Sequence, residues 1–174
     1  MKEKIASMAQ KAGYTRTAVM PVKELIFDHG FRKYCEANYC GQYGNNHACP
    51  PDCGTPSEME EKARRYEQAL VLQTIYSYEE LSELAVKKEE HNERTRKLAE
   101  QFKAEGYQGM LANAGPCTYC KECARKKGEP CRFPEELSSC ISAFCINAEK
   151  MAAFCDMEYW CKDNRVAFFS VWFF

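Results

Sequence analysis

The sequence predicts an α+β fold: a small sheet packed on helices, with two long cysteine-rich metal-binding loops. Three observations lead there. Helical and strand signals alternate along the chain, and strand–helix–strand returns layer helices onto a sheet better than they build a bundle. Of the 12 cysteines in 174 residues, eight fall into two tight groups. Those groups lie in turn-rich stretches that lack apolar periodicity. A chain of this length supports one domain, residues 1–174, with a real core. Its 45% apolar and 13% aromatic content argues against disorder.

The elements follow in order. Residues 2–12 read as a short helix stopped by Gly13. Residues 17–22 read as a short strand, and 25–37 are ambiguous, with a helix signal near 31–36. The first cysteine loop, 40–54, is rich in Gly, Asn and Pro. Thr55 then caps a helix, with Pro56 as first helical residue and Glu58 as the capping-box partner. Met59, Ala63, Tyr66 and Leu70 keep one face of that helix, and 69–76 is a buried strand. Ser77 and Glu80 form a second capping box, opening a long helix to about Glu105 with Gly106 as its stop. Its apolar stripe is Leu81, Leu84, Ala85, Leu98, Ala99 and Phe102, and its charged middle, 87–96, reads as a solvated face. Residues 107–112 lead as a strand into the second cysteine loop, 146–157 look helical, and 165–174 look like a terminal core strand.

The sharper cysteine group is Cys117, Cys120 and Cys123, followed by Cys131 between Pro130 and Pro134. A [4Fe–4S] cluster takes one thiolate on each of four irons, and three cysteines at two-residue gaps present three of them from one curled loop. The prolines stiffen the approaches by fixing φ. Zinc is the competing occupant. Structural zinc sites pair two separated C-x2-C knuckles, and the immediate third cysteine is not needed for a tetrahedral ion. The fourth cysteine does not follow at bacterial-ferredoxin spacing, so that fold does not transfer.

The second group is Cys35, Cys40, Cys49 and Cys53. Four thiolates here suit a second cluster or a zinc ion. Cys49 and Cys53 have the first gap of a radical-SAM motif, but Gly54, Thr55 and Pro56 follow where its third cysteine belongs. His47 reads as a loop histidine exposed to water. Cys140, Cys145, Cys155 and Cys161 are scattered and read as small buried hydrophobes.

A net charge of −1 and a pI near 6.3 argue against a dedicated nucleic-acid or anionic-membrane binder. The start, Met1-Lys2-Glu3-Lys4, is polar, and the apolar 166–174 stretch is too short for a membrane-spanning helix. The expectation is a soluble cytoplasmic protein, in whose reducing compartment dense cysteine means metal ligation before disulfides. Phosphate-loop, nucleophile-elbow and metalloprotease motifs are missing, so hydrolase and nucleotide chemistry have no support.

Tyr43-Gly44, Cys49-Pro50-Pro51, Cys53-Gly54-Thr55-Pro56, Gly115-Pro116-Cys117 and Pro130-Cys131-Arg132-Phe133-Pro134 together resemble the DUF2284 family of predicted prokaryotic metal-binding proteins. The resemblance runs over nearly the whole chain. It implies a metal site, with iron–sulfur as the expected occupant, and no assigned reaction. By that likeness Cys117, Cys120, Cys123 and Cys131 match one family motif, and Cys35, Cys40 and Cys49 match the N-terminal one. Cys140 and Cys145 stand where the family pattern has Ser and Gly. The expected function is one-electron transfer to or from a redox partner protein through a [4Fe–4S] cluster at Cys117, Cys120, Cys123 and Cys131. Cys35, Cys40, Cys49 and Cys53 are expected to form a second metal site, for a cluster or zinc. The alternative is a zinc-stabilised structural or interaction module. An enzyme with an open iron site is a third class, for which the sequence supplies no acid–base partners.

Overall fold

A computed structural model describes residues 1–174. Five helices and four strands run in the order α1 (Lys2–Lys11), β1 (Arg16–Pro21), α2 (Arg32–Glu36), α3 (Pro56–Arg64), β2 (Gln68–Ser77), α4 (Leu84–Ala104), β3 (Met110–Ala112), α5 (Ala148–Phe154) and β4 (Arg165–Phe173). The sheet order is β1-β2-β4-β3, antiparallel throughout. The fold is α+β, as the alternation of signals predicts.

β2 is the spine. It pairs with β1 on one side and with β4 on the other, from Ala69↔Phe173 to Ser77↔Arg165. Alternate side chains of a strand point to opposite faces, so a near-continuous apolar run is what a sheet covered on both faces requires. Leu70, Leu72 and Trp172 face one side, where they pack on Ile5 and Ala9 of α1 and Leu98 and Phe102 of α4. Ala69, Val71, Val171 and Phe173 face the other, against Met59 and Ala63 of α3 and Met151 and Ala152 of α5. Burial of each large side chain contributes about 1.5–3 kcal/mol. The second core also contains Cys53 and Cys140, so the inner ends of the cysteine segments are built into the hydrophobic layer.

α3 starts as its sequence predicts. The Thr55 hydroxyl accepts from the Glu58 amide, the Glu58 carboxylate accepts from the Thr55 amide at 2.8 Å, and Pro56 opens the helix. The helix ends at Arg64, leaving Leu70 to β2.

The start of α4 differs from the expected Ser77–Glu80 box. Ser77 is the last residue of β2, paired with Arg165, and the box is instead Glu80 with Glu83 around a short 3₁₀ turn. Strand pairing claims Ser77, so the cap falls further along. Leu81 is exposed and Ala85 also faces water; the buried stripe is His91, Asn92, Thr95, Leu98, Ala99 and Phe102. The N-terminal turns of α4 lie in water, and polar groups replace apolar ones where the helix meets Thr74 and Ser170 of the two central strands. His91 bonds Thr74 Oγ1 at 2.8 Å and Ser170 Oγ at 2.9 Å. Asn92 donates to the Ala114 carbonyl at 2.9 Å and accepts from the Ala114 amide at 3.2 Å. Of the remaining strand residues, Ile75, Val166 and Phe168 are only half-buried, because they lie at the open end of the sheet.

Candidate metal centre

The first cysteine loop hangs between α2 and α3. Cys35 rides on α2, whose short length lets the chain turn at Asn38, which has a φ of 56°. Asn38 Oδ1 accepts from the Tyr43 amide at 2.9 Å, closing the turn that carries Cys40. Asn46 organises the rest. It is buried, and its Oδ1 accepts from the Ala48 amide at 3.0 Å. The Cys49 amide donates to the Asn46 carbonyl at 2.9 Å, and the Cys53 amide donates to Cys49 at 3.1 Å. The Pro50–Pro51 peptide is cis.

Cys49 lies within electrostatic reach of Cys35, Cys40 and Cys53. Burial first, then the nearby sulfur of Cys140, pushes the Cys35 thiol up to about 11. Burial and the neighbouring Cys140, Cys40, Cys53 and Cys35 push Cys49 up as well. Burial also raises Cys53, opposed by the cations Arg32 and Lys62. Buried thiols resist ionisation because a charge in an apolar setting is costly. A metal ion reverses that balance by ligating thiolate and releasing protons. The sulfurs are neighbours rather than an assembled shell, and no three Cys, His, Asp or Glu side chains stand in a single-ion arrangement.

Arg32 tests whether an anionic metal–thiolate group fits. It is 8% exposed and donates to the Gly54 carbonyl at 2.8 Å and the Ala143 carbonyl at 2.9 Å. Its Nε has no partner, and both bonds go to main-chain oxygens rather than to a carboxylate. An uncompensated buried guanidinium is costly alone. Beside Cys35 and Cys53 it supplies the counter-charge that ionised sulfurs need. The donor set and the charge therefore fit a thiolate-held metal group.

The second loop follows β3. Cys117, Cys120, Cys123 and Cys131 are all partly buried. A 3₁₀ turn, Ala124–Lys127, reverses the chain at Gly128, whose φ of 70° is the left-handed conformation that glycine adopts without strain. The returning segment is pinned just after Cys131. Arg132 donates to the Glu122 carbonyl at 3.1 Å, and the Phe133 ring packs on Tyr119 with centroids 5.0 Å apart. Cys131 is thereby carried back towards the Cys117–Cys123 stretch.

The two loops are stitched to each other. Asn46 Nδ2 donates to the Cys117 carbonyl at 2.9 Å. His47 is partly buried, not exposed: its Nε2 bonds the Glu129 carbonyl at 2.8 Å and its Nδ1 meets Asp52 at 3.2 Å. Asp52 in turn pairs with Arg125 at 2.6 Å. The charged middle of α4 is not simply a solvated face either. Glu89 accepts from the Thr118 hydroxyl at 2.7 Å, and Arg96 bonds both Glu89 and Thr118, which fixes the second loop to the helix.

The scattered cysteines divide. Cys155 packs as a small hydrophobe against Met20, its sulfur 3.7 Å from the methionine's. Cys145 is buried with a φ of 57°, and Cys161 is half-buried. Cys140 is buried beside the first group. Sequence reasoning passed over Arg32, Asn46 and Asp52, and read Cys140 as a small buried hydrophobe. Asn46 and Asp52 carried the one available signal, being polar residues inside a cysteine loop; nothing in the sequence marks Arg32.

The profile of the DUF2284 family, described as a predicted metal-binding protein, matches residues 18–174. The chain belongs to that family. The DUF2284 match covers both cysteine loops and all of the sheet but the first two residues of β1. No curated protein and no solved structure matches the chain. No helix of this DUF2284 protein is long and apolar enough to cross a membrane.

Proposed function

We propose that this protein is an iron–sulfur electron carrier, with one [4Fe–4S] cluster held by Cys117, Cys120, Cys123 and Cys131 and a second metal centre in the loop of Cys35, Cys40 and Cys49. The observation that carries this reading is the direct junction of the two cysteine loops through Asn46, His47 and Asp52. Two redox groups fixed side by side relay electrons, whereas two independent structural zinc sites need no such coupling. The cluster, when bound, supplies one-electron chemistry. The chain's own residues provide the thiolates, the Arg32 counter-charge and the main-chain donors that set the potential.

One edge of the first centre reaches water. Cys40 is exposed and Tyr39 is 93% exposed, so a redox partner protein has access to that edge. The carrier works in a reducing cytoplasm, where the free thiols are kept available for metal.

Anaerobic isolation followed by iron, zinc and acid-labile sulfide analysis tests the proposal. A brown protein with a broad visible band that bleaches on reduction is expected. A colourless protein carrying zinc and no sulfide would refute it and favour the structural module.

A further inference from the structure

We propose that Cys140 is the fourth thiolate of the first metal centre, forming a quartet with Cys35, Cys40 and Cys49, while Cys53 stays outside the ligand set. This deepens the iron–sulfur reading and rests on it for the identity of the metal group.

Three observations carry the assignment. The first is mutual proximity. Cys140 lies within electrostatic reach of Cys35, Cys40 and Cys49, those three lie within reach of one another, and Cys140 packs in the same buried layer as the end of the first loop at Cys53. Cys53 also reaches Cys35, Cys49 and Cys140, but its thiol is engaged otherwise. Its thiol turns to its neighbour's carbonyl, with Sγ 3.8 Å from Gly54 O.

The second observation is the setting of the Cys140 sulfur. It is buried yet accepts the Ala143 amide at 3.3 Å, an amide it shares with the Cys140 carbonyl at 2.9 Å. A main-chain N–H directed at a buried sulfur stabilises the thiolate rather than the thiol, as it does around metal-bound sulfurs. A merely hydrophobic cysteine such as Cys155 has no such donor.

The third is the frame that holds Cys140 against the first loop although the two are distant in sequence. The Arg32 guanidinium spans the gap, with one nitrogen on Gly54 O and another on Ala143 O. From the other side Cys140 forms a bridge with Asn113; the Asn113 amide donates to Ser139 at 2.9 Å and the Ile141 amide to Asn113 at 3.1 Å. A residue ordered from two directions is held in the geometry that a ligand needs. Ligation exchanges each S–H bond for an S–metal bond and releases the proton to solvent.

The test compares full-length wild type, Cys140→Ser and Cys53→Ser after anaerobic reconstitution, by iron, sulfide and electron paramagnetic resonance of the reduced protein. Cys140→Ser is expected to lose about half of the iron and sulfide, as one of two four-iron centres goes, or to keep them with a shifted resonance through serine ligation. Cys53→Ser is expected to match wild type. Wild-type iron, sulfide and resonance in Cys140→Ser overturn the proposal, as does a loss in Cys53→Ser equal to that in Cys140→Ser.

Alkylation of wild type by iodoacetamide, mapped by mass spectrometry, gives a second arm that does not depend on a variant folding. Cys140 should be blocked in the loaded protein and open after chelation, with Cys53 alike in both. Equal labelling of Cys140 in the two states overturns the assignment. If wild type holds zinc and no sulfide, the iron–sulfur reading fails by itself. The Cys140 assignment is then read from zinc per chain, where a fall in Cys140→Ser supports it and an unchanged count refutes it.

Discussion

His91 makes the stability of this protein depend on pH in a way that one substitution should erase. The imidazole is completely buried between α4 and the sheet, held by Thr74 and Ser170. Burial, with a smaller contribution from the Arg94 cation, lowers its pKa from 6.5 to about 3. The unfolded chain therefore takes up a proton near pH 6.5 that the folded chain refuses until about pH 3. The sign follows from linkage: stability is fully present above the unfolded pKa and is lost as pH falls towards the folded one. Each pH unit inside that window costs about 1.4 kcal/mol, so going from about pH 7.5 to about pH 5 costs about 2 kcal/mol from this residue. Urea unfolding at several pH values, in wild type and His91→Gln, isolates the effect. Glutamine bridges the two hydroxyls without titrating, and every other ionisable group cancels in the comparison. The wild-type midpoint should fall with acid more steeply than the variant's. Parallel pH profiles would show that His91 is protonated in the fold and refute the reasoning.

Two further predictions follow from the packing. Arg32→Met strands the carbonyls of Gly54 and Ala143, at about 1–3 kcal/mol each, while removing an uncompensated buried charge. Because that charge balances ionised sulfur, urea unfolding should show a larger loss in metal-loaded protein than in stripped protein, and equal losses would contradict its counter-charge role. Gly109→Ala would drive a methyl group into the Trp172 ring and against the Phe173 carbonyl where β3 meets β4. Overpacking of this kind costs about 1–3 kcal/mol, and an unchanged unfolding midpoint would mean that the strand edge gives way freely.

Much of the fold was legible locally. α3 was fixed by Thr55, Pro56 and Glu58 because a capping box satisfies amides within a few residues of each other. β2 and β4 announced themselves as apolar runs because both their faces are covered. α4 was legible as a helix, but not its buried face. His91, Asn92 and Thr95 look like surface residues in sequence and are buried because their partners, Thr74, Ser170, Ala114 and Tyr14, arrive from other elements.

The candidate centres divide the same way. The sequence by itself determined where the cysteines cluster along the chain, and it determined the family through the Pro- and Gly-flanked cysteine motifs. It had no means of placing Cys140 near Cys49, of lifting the cation Arg32 into that space, or of joining Asn46 to Cys117. Those neighbours are separated by long stretches of chain, and they meet because the sheet order β1-β2-β4-β3 folds the segments before α3 and after β3 onto the same face. Ligand grouping within a loop is a property of local spacing; the counter-charge and the junction between loops are properties of closure, which only the tertiary structure decides.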